Sequence, residues 1–101
     1  MQDRDAAICL IKNELLREND CVELYHSAIE RAQHSYIKST YKDLIRLLSQ
    51  DSDNSPIDIV YNYMNKMEDY ACENPFSSFI FSVSRDASEY ILDKLLLLGG
   101  K

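Results

Sequence analysis

A chain of 101 residues, 46% hydrophobic and 28% charged, is one domain with one modest core; it is too apolar for intrinsic disorder. Two glycines and two prolines are too few for a turn-rich β fold. The net charge of −6 repels phosphate, which argues against non-specific binding to nucleic acid or to an anionic membrane.

The first predicted helix runs over about 5–18. Ile8, Ile11 and Leu15 recur at helical spacing, with Ala7 and Leu16 beside them, and Asp3 or Asp5 is placed to cap its start. Asp20, three residues before Glu23, reads as the next helix starter. The second helix is then expected from Cys21 to about Ser49. Val22, Tyr25, Ile29, Ala32 and Tyr36 form its seam, which slips by one position to Ile37, Tyr41, Leu44 and Leu48. The slip is a stutter in a continuous helix or a break near Ser39-Thr40, and continuity is favoured because no Gly or Pro interrupts the run.

Residues 49–55 read as a polar surface loop. Ser55 before Pro56 signals the third helix, over about 56–73, because Pro is tolerated at a first helical position whose N–H would be unpaired anyway. Ile57, Val60, Met64, Met67 and Ala71 supply its stripe. Asn74 before Pro75 starts the fourth in the same way, with Phe76, Ile80, Val83, Ala87, Ile91, Leu95 and Leu98 on its stripe. Residues 79–84 also alternate as a strand would, but a lone strand has no partner here. Gly99-Gly100 is the stop. The expected fold is all-α: a single helical domain over 1–101, a small up-down four-helix bundle with long second and fourth helices. On a rise of about 1.5 Å per residue those two helices would be about 43 and 36 Å long, overhanging shorter partners.

The leucines at 95–98 cover an arc of about 300° on a helix, more than one bundle face can take. Tyr90, Ile91, Leu95, Leu96, Leu97 and Leu98 are therefore a candidate protein interface, closing a homodimer or a hetero-complex. The seven tyrosines, Tyr61, Tyr63 and Tyr70 among them, suit half-buried positions. The acids are uneven: nine acids and four bases lie in 51–101, against eight and seven in 1–50. Asp51, Asp53, Asp58, Glu68, Asp69, Glu73, Asp86, Glu89 and Asp93 make a candidate acidic face that mimics nucleic-acid charge toward a basic partner.

His34, Lys38, Lys42 and Arg46 recur at i,i+4 as a basic ridge. They offer an alternative reading as a helical nucleic-acid-binding or transcription-regulatory domain, although the four drift by about 120° around the helix. Glu23, His26, Glu30 and His34 include one Glu-x-x-His pair, whereas a dinuclear site in a bundle needs two such pairs and two further glutamates. No metal or cofactor is expected. Cys9, Cys21 and Cys72 have no sequence neighbour that names a base, and no glycine-rich phosphate loop exists, so the chain is not expected to be an enzyme. The scattered cysteines are expected as buried fillers in a reducing, cytoplasmic setting, and no membrane span is expected.

Overall fold

The computed structural model describes residues 2–21, 27–51 and 53–99, with side chains for 4–20, 27–51 and 53–98. The described residues form four α-helices and no strand: α1 (Gln2–Cys21), α2 (Ala28–Gln50), α3 (Pro56–Glu73) and α4 (Ser78–Gly99). A single 3-10 turn, Pro75–Ser77, leads into α4. The all-α expectation holds, and the strand-like alternation at 79–84 lies inside α4.

Helix starts are where sequence and structure diverge most. Asp3 and Asp5 lie within α1 rather than capping it, and Asp20 lies in its last turn. The second helix therefore begins later than Cys21. Its cap is Ser27, in extended backbone, whose Oγ accepts from the Glu30 N–H at 3.0 Å and donates to the Glu30 carboxylate at 3.3 Å. Serine followed three residues later by glutamate satisfies a helix start, the glutamate also favouring the positive end of the helix dipole, whereas Asp20, though it too precedes a glutamate by three, is taken up in the last turn of α1. The expected seam positions Val22 and Tyr25 lie outside the described residues.

The later starter behaves as read. Ser55 Oγ accepts from the Asp58 N–H at 3.2 Å with Pro56 at the first position. Asn74 does not cap forward. Its side chain donates back to the Tyr70 carbonyl at 3.0 Å, closing the end of α3, and so only a 3-10 turn follows it. Phe76 in that turn is fully exposed and leaves the expected apolar stripe.

With 20, 23, 18 and 22 residues, the helices span about 27–35 Å. The expected overhang shrinks because α1 is longer and α2 shorter than the sequence suggests. α2 is continuous through Ser39-Thr40, where Thr40 Oγ1 lies 2.8 Å from the Tyr36 carbonyl of the preceding turn. A hydroxyl that bonds back within its own helix needs no break in it.

The core joins Ala7 and Ile11 of α1, Tyr41, Leu44 and Leu48 of α2, Ile59 and Val60 of α3, and Ala87, Ile91, Leu92 and Leu95 of α4. In α2 only the second half of the slipped seam is buried, and Ile29 in the first half is exposed. Cys9 and Cys72 are exposed, not the expected fillers; Cys21 lies outside the residues with described side chains. Each of the two sits on the outer side of its helix, next to the residues that face in. No helix is long and apolar enough to cross a membrane among the described residues.

Candidate functional site

The expected interface residues divide in two. Ile91 and Leu95 belong to the core, while Leu96, Leu97 and Leu98 are 49%, 70% and 52% exposed. One turn of α4 thus presents three neighbouring leucines to solvent. Tyr90 is on the exposed side but is engaged within the fold. Its hydroxyl donates to Glu14 of α1 at 3.2 Å, and the Lys94 ammonium stands 5.2 Å from its ring centroid.

The acidic residues occupy three places. Asp51 organises its own loop: one carboxylate oxygen accepts from the backbone N–H groups of Asp53 and Asn54 at 3.0 and 3.1 Å, and the other from the Asn54 amide at 2.9 Å. Those bonds hold the Asp51 carboxyl below its ordinary range. Asp53 and Asp58 are exposed beside it. Glu68, Asp69 and Glu73 are exposed late in α3, and Asp86, Glu89 and Asp93 line one side of α4 at spacings of three and four. Arg85 lies between these last two groups. Its guanidinium meets Glu68 at 3.3 Å and Asp86 at 2.9 Å, and its Nε is sealed without a partner.

The basic ridge is dispersed. His34 contacts Glu18 of α1, and Arg46 pairs with Asp43 of its own helix at 3.4 Å. Lys38 is half-buried and Lys42 exposed. Arg4 of α1 donates to the carbonyls of Leu48 and Asn54. Of the residues around the single Glu-x-x-His pair, Glu23 and His26 lie outside the described residues, and Glu30 serves the α2 cap. The described residues hold no group of three metal-ligating side chains.

A cavity that no motif announces lies between α1, α2 and α4, with a volume of about 440 Å³. Ile37 and Tyr41 of α2 and Val83 and Ala87 of α4 give it apolar walls. Glu14, Arg17 and Glu18 of α1, Gln33 and His34 of α2, and Asp86 and Tyr90 of α4 give it polar ones. The volume falls within the range of about 300–1,000 Å³ typical of small-molecule pockets.

The cavity exists because α2 and α4 meet closely through small residues while α1 stays on α2. Thr40 Oγ1 is 2.9 Å from Ser84 Oγ, and Ser88 Oγ bonds the Ser84 carbonyl at 2.8 Å, all three residues being buried. α1 touches α2 along its length but meets α4 only slightly. Its far flank therefore stands off α4, bridged by the contacts of Glu14 with Tyr90 and Lys94. The signal for the cavity was present as Glu14 and Glu18, two acids at i,i+4 next to the Ile11–Leu15 stripe, but only the tertiary arrangement opposes them to Asp86.

No match was found. No family model, curated protein or solved structure matches this chain.

Proposed function

We propose that this chain is a small, acidic, non-catalytic helical protein of the cytoplasm that acts by binding another protein, as a regulator, adaptor or inhibitor. In this reading it is an up-down four-helix bundle whose leucine end makes the contact. The observation that carries it is the exposed turn Leu96-Leu97-Leu98 directly beyond the buried Leu95. Each fully buried leucine contributes about 1.5–3 kcal/mol, so three neighbours left in water favour association. The up-down arrangement draws support from paired contacts. Arg4 reaches Leu48 while Glu18 reaches His34, Tyr63 bonds Asp43, and Glu68 meets Arg85. Each pair joins successive helices at positions expected of antiparallel neighbours.

The simplest occupant of the leucine end is a second copy of the chain. The acidic stripe of Asp86, Glu89 and Asp93 would then remain outside and face a basic partner. The nucleic-acid alternative has weaker support, because His34 and Arg46 of the basic ridge already have acidic partners.

Light scattering during size exclusion tests the reading on the untagged protein. The expected wild-type mass is twice 11.7 kDa, falling to the monomer in Leu96→Glu/Leu97→Glu with helical content unchanged. A wild-type monomer, or a dimer that the double substitution leaves intact, would overturn the leucine-end interface.

A further inference from the structure

The cavity between α1, α2 and α4 has a chemistry of its own. It contains three carboxylates, Glu14, Glu18 and Asp86, and one arginine, Arg17. Arg17 is turned outward: its side chain is 68% exposed and bonds Glu14 at 3.3 Å. Glu14 is further engaged by the Tyr90 hydroxyl and by Lys94. Glu18 and Asp86 stand on opposite walls, each with its bound base at one side, His34 and Arg85 respectively.

Tyr41 adds the second observation. The residue is 3% exposed and lines the cavity, and its hydroxyl has no hydrogen-bond partner among the described residues. A buried hydroxyl left unpaired costs stability. Tyr41 lines the cavity, so the space open to its hydroxyl is the cavity. Burial, then the Glu18 and Glu14 charges, push the Tyr41 hydroxyl above its ordinary range, and Arg17 opposes them.

From this geometry we propose that the cavity is a binding site for a small organic monocation, a primary amine on a short apolar body. The apolar body fits against Ile37, Val83 and Ala87. The ammonium, with three donors and no acceptor, suits the Glu18 and Asp86 carboxylates and the lone pairs of the Tyr41 hydroxyl. An anion of the same shape would meet those carboxylates unfavourably, and a neutral isostere would leave them without a new partner. The site is independent of the leucine end, so Leu96→Glu/Leu97→Glu leaves it unchanged and its failure would not bear on the protein-binding reading.

The test uses three probes that share a phenylethyl body and differ in head-group charge, 2-phenylethylamine, 2-phenylethanol and 3-phenylpropanoate, titrated into the intact protein while backbone amide resonances are followed. The amine is expected to give saturable shifts at Ile37, Tyr41, Val83 and Ala87, at least tenfold tighter than either of the other probes. Asp86→Asn and Tyr41→Phe are each expected to weaken the amine by fivefold or more, with the remaining spectrum retained. Asp86 is exposed, so its variant folds even if the Tyr41 variant does not. Absence of saturable shifts, equal binding of the three probes, or an Asp86→Asn protein that binds the amine as wild type does would each overturn the proposal.

Discussion

At the residue scale, two tyrosines tie the packing to pH. Tyr63 donates to Asp43 at 3.3 Å, and burial, then the Asp43 charge, raises it to about 12. Tyr41 is raised further, by burial first and then by Glu18 and Glu14. An acid whose folded pKa lies above its unfolded value near 10 contributes stability that is complete below about 10. That contribution is lost as pH rises through the folded value, about 12 for Tyr63. Alkaline unfolding is thus expected between those limits, with Tyr41 and Tyr63 absorbing as phenolates only as the fold gives way. Asp43→Asn removes one cause of the shift and lowers the Tyr63 midpoint. A single titration of all the tyrosines near 10, with the fold intact, would contradict the burial of both hydroxyls.

At the element scale, the α2–α4 contact rests on small side chains. Thr40 and Ser84 carry one hydroxyl proton each. The pair is satisfied when Thr40 donates to the Tyr36 carbonyl and Ser84 donates to Thr40. Ser84→Leu inserts a large side chain where the helices are closest, and overpacking of this kind costs about 1–3 kcal/mol. Ser84→Ala keeps the close approach, and Thr40 keeps its carbonyl, so the expected loss is about 1 kcal/mol or less. Equal urea midpoints for the two variants would show that the contact is not a tight one. The same contact shows what the sequence could convey. Apolar stripes at helical spacing marked Ile11, Leu44, Leu48, Val60 and Ile91 as core, because a period of three to four is a local property. Ser84, Ser88 and Thr40 gave no such signal, since a buried hydroxyl looks in sequence like an exposed one. Ser27 with Glu30 and Asp20 with Glu23 carry the same local cap pattern, and only the length of α1, which runs through Asp20, decides between them. The cavity was illegible for a further reason. Glu14, Tyr41 and Asp86 come from three helices, and their opposition depends on how far α1 stands from α4.

At the scale of the whole molecule, the packing is uneven in a way that predicts how it opens. α3 and α4 share the most extensive contact of any helix pair, whereas α1 touches α3 and α4 only slightly and relies on α2. Ala7 and Ile11 are the fully buried α1 residues of the core, with Ile8, Leu10 and Leu15 partly buried against it. Arg4 fastens the same end by donating to the Leu48 carbonyl at 2.8 Å and to the Asn54 carbonyl. A unit with few buried contacts opens at lower free energy than the global transition. The α1 amides are therefore expected to exchange hydrogen faster than those of α3 and α4 under native conditions. Arg4→Ala removes a charged donor from two carbonyls, an interaction worth about 1.5–3 kcal/mol when buried and less when it is partly exposed, as here. Exchange in α1 should then accelerate about tenfold, with the protected amides of α3 and α4 changing much less. If Arg4→Ala instead raises exchange equally in all four helices, α1 opens only with the whole fold, and the wall it gives the cavity is as rigid as the core.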